Sequence, residues 1–131
     1  MANTFHLEII TPTAIYTEKN VSYLRAESLE GQFGIMAKHT SATIALGIGE
    51  IKVVIDDKNY YYATSGGYAD IQSESVLLLL ESAEKYKDID INRAEDSYNR
   101  AQKRMHDKTQ DQVRAQTSIA RSNNRLKVSQ R

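Results

Sequence analysis

The sequence predicts two parts of different architecture: a sandwich or barrel of many short β-strands, followed by a hairpin of two α-helices. All six glycines and the only proline lie within the first 67 residues. Turn-forming residues recur there roughly every 8–12 positions, which is typical of short strands joined by tight turns. Charge divides near the same place, since residues 1–87 carry 7 basic and 11 acidic side chains (net −4) and residues 88–131 carry 10 and 6 (net +4). We therefore expect one domain over residues 1–86 and a second over residues 87–131.

Strands are predicted where apolar and polar residues alternate or where β-branched and aromatic residues cluster. The segment Phe5–Ile10 has the two-residue period of a half-buried strand, and Val21–Ala26 repeats it less cleanly. Ile51–Thr64 is interrupted by the polar turn Asp56–Asn59, so this segment predicts a β-hairpin. Further short strands are expected over residues 68–71 and 76–81.

Two amphipathic helices are predicted after residue 87, where glycine and proline no longer occur. Apolar residues step by three and four over residues 91–105, and Asp88 and Asp90 are both placed to cap this first helix. Residues 115–126 repeat the steps with only two large apolar side chains, Ile119 and Leu126. We expect the second helix to dock weakly, because each well-buried large apolar side chain contributes only about 1.5–3 kcal/mol.

Several functional classes are unsupported by the composition. The chain has no cysteine and its three histidines are not at metal-ligand spacing, which argues against a disulfide framework, a zinc site and a cysteine nucleophile. It contains neither a phosphate-binding loop motif nor a GxGxxG motif. No apolar run approaches the roughly 18 residues of a membrane span, so we expect no direct membrane insertion. These observations argue against an enzyme.

The arginines of the two predicted helices are spaced to form a cluster. Arg93 and Arg100 are seven residues apart on the first helix, and Arg121 and Arg125 are four apart on the second. A hairpin could bring these four side chains together, and their repulsion would favour an anion among them, since guanidinium groups match phosphate oxygens well. The alternatives are a solvated helix face and a basic surface that binds nucleic acid.

Four stretches, taken in order, resemble the epsilon subunit of F-type ATP synthases. They are FHLEIITP at residues 5–12, EGQFGIMAKHT at 30–40, SGGY at 65–68 and IDINRA at 89–94. Each stretch is weak alone, but their order and spacing across the strand-to-helix boundary make the resemblance specific. It implies a ten-stranded β-sandwich followed by a two-helix antiparallel hairpin. It also implies a non-catalytic rotor subunit that couples proton translocation to ATP synthesis.

The resemblance implies particular partners and a location. The sandwich would bind the gamma subunit and the ring of c subunits, and the hairpin would reach the alpha/beta catalytic head when it extends and inhibits ATP hydrolysis. The protein would lie at the cytoplasmic face of a bacterial cell membrane and would not bind nucleic acid. The residues that match the family's partner-facing surfaces are Glu30, Gly31, Gln32, Phe33 and His39.

The resemblance also implies ATP as a regulatory ligand, with no required cofactor. Some family members hold ATP in the folded hairpin through an [IL]-D-x-x-R-A motif, with a further glutamate and further arginines. The residues at matching positions are Ile89, Asp90, Arg93 and Ala94 for the motif, and Glu84, Arg100, Arg121 and Arg125 for the rest. The two acidic side chains would hold the base or ribose and the arginines the phosphates. The alternative is a stand-alone ligand- or nucleic-acid-binding β-sandwich with a basic hairpin.

Overall fold

A computed structural model describes residues 3–107, 109 and 111–131. The first part of the chain forms β1 (Phe5–Ile10), β2 (Ile15–Ser28), β3 (Gly31–Ile35), β4 (Ala42–Leu46), β5 (Gly49–Ile55), β6 (Lys58–Thr64), β7 (Gly67–Ile71), β8 (Ser75–Leu80) and β9 (Ala83–Lys85). A short 3-10 turn at Tyr86–Asp88 leads to α1 (Ile91–His106) and α2 (Gln112–Ser129). The predicted order of strands and then two helices is confirmed.

The strands form a β-sandwich in which β2 is shared between the layers. The hydrogen-bonded order is β1-β8-β7-β4-β2-β5-β6-β9, with β3 added to β2, and β1 also pairs with β2. Only β1 and β8 run parallel among the described strands; the other pairs are antiparallel. One apolar cluster fills the interior, and Leu7, Ile9, Leu24 and Leu78 within it are fully buried.

The described part of the chain has nine strands, one fewer than the resemblance implies. The longest of them, β2, runs 14 residues without interruption. Its pairing with β5 shifts register between Val21 and Tyr23, and its first half pairs with β1 while its second half pairs with β3. A register shift bends a strand without ending it, so one long strand can pair with β1 along one half and with β3 along the other.

The predicted hairpin over residues 51–64 is present as β5 and β6. Asp56 and Asp57 occupy its turn with φ angles of 51° and 63°. Two consecutive residues of positive φ are typical of the tight turns whose twist matches that of the flanking strands, and aspartate tolerates this conformation better than most residues.

The two helices begin at aspartate caps and pack along a seam of small side chains. Asp90 Oδ1 accepts a hydrogen bond from the Arg93 amide at 3.0 Å, whereas Asp88 lies in the 3-10 turn and does not cap α1. Asp111 caps α2 in the same way, accepting from the Arg114 amide at 3.1 Å. The fully or almost fully buried residues of the helices are Ala94, Ala101, Ala115, Ser122 and Val128.

Candidate functional site

A cleft of about 280 Å³ lies where both helices meet the sandwich. Predicted ligand residues from three elements line it: Arg100 from α1, Arg121 and Arg125 from α2, and Glu84 from β9. The remaining lining residues are Ser65, Ser97, Arg104, Ser118 and Ser122. Four guanidinium groups and one carboxylate therefore share one opening, and its charge is positive.

Arg125 and Glu84 form the tightest contact in this cleft. Arg125 Nη2 donates to Glu84 Oε2 at 3.0 Å. Arg125 Nε lies 2.7 Å from Glu84 Oε1, but its N–H is not aligned for a hydrogen bond and this contact is electrostatic only. By contrast, Arg121 Nη2 is 3.7 Å from Glu81 Oε2, and both side chains are largely exposed. Arg121 is therefore freer than Arg125 to bind an incoming anion.

Arg104 is a lining residue that the sequence analysis did not select. Its Nε is buried and has no hydrogen-bond partner among the described residues, although it faces the same cleft as Arg100. A buried donor without a partner is costly, and an anion in the cleft would satisfy it. Its spacing of four residues from Arg100, which places both on one helix face, is the signal that could have identified it.

Hydroxyl groups lie at the sandwich side of the cleft. Ser65 Oγ and Ser82 Oγ are 2.7 Å apart, and the Ser65 amide donates to Ser82 Oγ at 3.2 Å. Ser82 lies beside Arg121 and Arg125 in a smaller recess that adjoins the cleft. Guanidinium forks together with hydroxyl donors suit the oxygens of a phosphate chain.

Asp90 and Arg93 lie beside the cleft and not within it. They line a shallower cavity of about 680 Å³ along α1, and Arg100 borders both cavities. Ile89 is 7% exposed and belongs to a small apolar cluster, while Ala94 is fully buried in the helix seam. The structure thus divides the predicted ligand residues into a cleft group, an adjacent polar group and two buried positions.

The turn between β2 and β3 and the start of β3 contain the first group of predicted interface residues. Glu30 in the turn and Gly31 and Gln32 on β3 are exposed, and Phe33 is half-buried. Ser28 Oγ donates to the Gly31 carbonyl at 2.8 Å and accepts from the Glu30 amide at 3.1 Å, which fixes the turn. Leu29, at 75% exposed, adds an apolar side chain that the sequence analysis did not select.

His39 follows β3 in a loop, as the sequence analysis expected. Its ring lies edge-on to Phe5, with 5.6 Å between the ring centres. Both ring nitrogens are buried, and in the described part of the chain no other residue forms a hydrogen bond with them. Burial lowers the pKa of His39, and its own backbone opposes part of that effect.

A second surface of the sandwich carries exposed apolar side chains in one cross-strand row. Tyr68 and Leu79 are directly paired on β7 and β8, and they are 59% and 47% exposed. Ala45 on β4 continues the row beyond Tyr68, and Ile10 on β1 continues it beyond Leu79. We call Ile10, Leu79, Tyr68 and Ala45 the apolar row. Its sequence signal is the uninterrupted run of apolar residues 76–80, which leaves no polar residue for the outward face.

Sandwich, hairpin and basic cleft together define a two-domain binding subunit. Family models identify which one: residues 4–86 match the beta-sandwich domain of the ATP synthase delta/epsilon chain, and residues 87–130 match its long alpha-helix domain. The chain belongs to the ATP synthase delta/epsilon chain family. Neither helix in the described ranges is long and apolar enough to cross a membrane.

Relatives along the whole chain give the same result. The chain is 35% identical over 130 residues to the ATP synthase epsilon chain of Nitratidesulfovibrio vulgaris (strain DP4), covering 98% of this chain and 97% of that one. It is 32% identical over 131 residues to the ATP synthase epsilon chain of Staphylococcus aureus (strain JH9), covering 98% of each. The expected epsilon-type, non-catalytic central-stalk subunit of F-type ATP synthase is confirmed.

Two solved structures share the fold at low sequence identity. A chain of the Euglena gracilis mitochondrial ATP synthase, solved as OSCP/F1/c-ring, matches with a TM-score of 0.82 and 18% identity, covering 100% of this chain and 83% of that one. A chain of the Tetrahymena thermophila mitochondrial ATP synthase central stalk and c-ring matches with a TM-score of 0.65 and 14% identity, covering 97% of each.

Proposed function

We propose that the hairpin of this central-stalk subunit regulates ATP hydrolysis and that the cleft between hairpin and sandwich holds ATP as its regulatory ligand. The observation that carries the proposal is the convergence of Arg100, Arg121 and Arg125 on one cleft with Glu84. Like charges held together in this way favour an anionic ligand, and a polyphosphate offers several oxygens to several guanidinium forks.

The proposed roles follow from where each side chain lies. Arg100, Arg121 and Arg125 bind phosphate oxygens, with Arg104 as an additional donor. Glu84 and Asp90 lie on different sides of Arg100 and contact the base or ribose, and Arg93 extends the basic surface along α1. Ile89 and Ala94 are buried, so they support Asp90 and Arg93 by packing and do not themselves contact the ligand.

Regulation follows from the composition of the cleft. Its walls come from α1, α2 and the sandwich, so the complete cleft exists only while the hairpin is docked. A ligand that binds only the docked form shifts the population toward it. ATP therefore stabilises the docked hairpin and opposes the extended form, which inhibits hydrolysis by reaching the alpha/beta catalytic head.

The sandwich supplies the proposed contacts with the rest of the rotor. One structural relative comes from an assembly of OSCP, F1 and c-ring, and the other comes from a central stalk with its c-ring. We assign Glu30–Phe33, at the turn into β3, to the c-subunit ring, and the apolar row together with the His39 loop to the gamma subunit. Through these contacts the subunit takes part in coupling proton translocation to ATP synthesis. It lies peripherally at the cytoplasmic face of the bacterial membrane.

A thermal titration of the whole chain tests the nucleotide proposal. We expect ATP to raise the melting temperature, because a ligand present at 100 times its dissociation constant stabilises the folded form by about 2.7 kcal/mol. Arg125→Ala should remove most of this rise. Arg114→Ala is the matched control, since Arg114 is exposed near the start of α2 and lies outside the cleft.

Two outcomes would contradict the proposal. One is a melting temperature that does not change with ATP up to millimolar concentration. The other is a loss of the ATP-dependent rise in Arg114→Ala as large as that in Arg125→Ala, which would indicate non-specific binding to basic residues. The comparison uses the ATP-dependent shift and not the melting temperature itself, because Arg125→Ala also removes the ion pair with Glu84.

A further inference from the structure

The last turns of α2 rest on three neighbouring strands of the sandwich. Glu50 on β5 is directly paired with Ala63 on β6, and Ala63 is directly paired with Glu84 on β9. Residues paired in this way project from the same face of a sheet. We call Glu84, Ala63 and Glu50 the docking row, which has an apolar position between two carboxylates.

The end of α2 matches the docking row in chemistry and in spacing. Arg125 contacts Glu84, Val128 shares a buried apolar cluster with Ala63, and Arg131 contacts Glu50. Arg125 and Val128 are three positions apart on α2, which is about 4.5 Å of rise. Neighbouring strands are about 4.8 Å apart, so this step corresponds to one strand. Arg131 follows three positions later, two residues beyond the end of α2 at Ser129, where its amide donates to the Val128 carbonyl at 3.1 Å.

Arg131 makes the most complete polar contact of the row. Its Nε donates to Glu50 Oε2 at 2.8 Å and its Nη2 donates to Glu50 Oε1 at 2.9 Å, a two-point pairing. The Glu50 side chain is only 11% exposed and also accepts from Arg25 Nη2 at 2.9 Å. The Arg131 guanidinium lies over the Tyr61 ring, 4.9 Å from its centre.

The rest of the hairpin has few large apolar contacts that could hold it in place. The seam between α1 and α2 is made of alanine and serine, and Val128 is the only fully buried large side chain among the described helix residues. Asn124 Nδ2 adds one hydrogen bond to the Gly49 carbonyl at 2.8 Å. Polar contacts in a defined register therefore carry a large share of the docking of α2.

We propose that the Arg131–Glu50 pair is a docking lock, separate from the nucleotide cleft, that sets how often the hairpin leaves the sandwich. The pair lies at the opposite end of the docking row from Glu84 and Arg125. A ligand that binds Arg125 in place of Glu84 leaves the Arg131–Glu50 pair intact. The hairpin therefore stays docked in the same register while Arg125 changes its partner. The lock acts without nucleotide, and its test is therefore independent of the ATP proposal.

A single buried thiol reports the undocking directly. The chain has no cysteine, and Ala63 is 2% exposed beneath α2, so Ala63→Cys creates one thiol that a reagent reaches only when the helix lifts away. In the nucleotide-free chain, we expect Arg131→Ala to raise the rate of thiol modification by about three- to ten-fold, the range for a partly exposed two-point ion pair. Arg114→Ala should change the rate by less than about two-fold, since exposed charges contribute little.

A double-mutant cycle separates the pair from a general loss of charge. Glu50→Gln alone should also accelerate modification, and Glu50→Gln combined with Arg131→Ala should be no faster than the larger single effect. The proposal is overturned if Arg131→Ala leaves the rate unchanged, if Arg114→Ala accelerates it equally, or if the two effects multiply.

A second readout applies if Ala63→Cys disturbs the packing beneath Val128. Lys58 and Gln116 are exposed. Spin labels attached to Lys58→Cys and Gln116→Cys report the distance between the sandwich and α2. Arg131→Ala should then increase the population with long distances relative to Arg114→Ala. Equal distance distributions in the two variants would overturn the proposal.

Discussion

Gly67 is fixed by close packing of the backbone within the sandwich. Its φ angle is 150°, and a Cβ at this position would collide with the Leu79 carbonyl oxygen on the neighbouring strand. Gly66, with φ of 116°, would bring a Cβ to 2.8 Å from the Leu46 carbonyl oxygen. The glycine pair in the SGGY stretch is therefore required by the packing of three strands.

His39 provides a pH-dependent contribution to the stability of the sandwich. Burial lowers its pKa from the ordinary value of 6.5, so the unfolded chain binds this proton more readily than the folded chain. The contribution is complete above about pH 6.5 and is lost as the pH falls from there toward the lower folded-state pKa.

We expect His39→Gln to make the free energy of unfolding depend less on pH than it does in the unmodified chain. Glutamine has no proton to gain, so the fall in stability between about pH 7.5 and pH 5.5 should become smaller. Urea unfolding of both proteins at these two pH values measures the difference. An equal fall in both proteins would show that His39 is not the titrating group.

The pKa of Tyr62 is shifted upwards, so its contribution to stability is lost as the pH rises and not as it falls. Burial, supported by the nearby charge of Glu18, raises the pKa of this phenol to about 12. Its contribution to stability is present below about pH 10 and is lost as the pH rises from there to about 12.

At the level of elements, α1 and α2 approach closely because the residues between them are small. Ala94 and Ala101 on α1, and Ala115 and Ser122 on α2, are 0–3% exposed. Ile119 and Leu126, the large apolar residues of the predicted stripe, are only half-buried. The expectation of weak docking is consistent with this seam, because small side chains bury little apolar area.

Ala101→Leu should force the helices apart. Added volume in a close-packed seam costs about 1–3 kcal/mol, and we expect the helical signal to melt at a lower temperature than in the unmodified chain. Circular dichroism at 222 nm during heating measures this change. The control is Ala120→Leu, which adds the same volume at an exposed position of α2. Equal effects of the two substitutions would exclude close packing of the seam as the cause.

At the level of the whole molecule, the sandwich has two chemically different outer surfaces. The docking row places carboxylates opposite the arginines of α2, whereas the apolar row presents Tyr68 and Leu79 to solvent. Exposed apolar side chains that adjoin each other are typical of a surface that binds another protein. The hairpin can therefore stay docked on the docking row while the apolar row contacts the gamma subunit.

We expect Leu79→Asp to weaken association with the gamma subunit by more than it destabilises the isolated chain. Leu79 is 47% exposed, so the substitution should change the stability by less than it changes an interface that buries the side chain. Co-purification with gamma measures the association. Lys58→Asp is the control, since Lys58 is exposed at the start of β6, which is distant from the row in the strand order. Undiminished recovery of Leu79→Asp with gamma would contradict the assignment of this face.

Much of the fold could be predicted because it depends on neighbours in sequence. The strand over Phe5–Ile10 and the two helices appear where expected. The predicted turn at Asp56–Asn59 is shorter than expected, because Lys58 and Asn59 already belong to β6. The candidate cleft was less accessible to this reasoning. Arg100, Arg121 and Arg125 meet as the hairpin predicts, but Arg93 does not line the cleft, because α1 presents it to the adjacent cavity.

The sequence by itself determined two architectures, the Asp90 cap of α1 and the helix positions of the arginines, since each follows from local periodicity and side-chain chemistry. The four ordered stretches likewise identified the family before any contact was known. Only the tertiary structure decided that Glu50 faces Arg131, 81 residues later in the chain. Such a pair depends on strand register and on where a helix lands, and both are fixed by the packing of the whole chain.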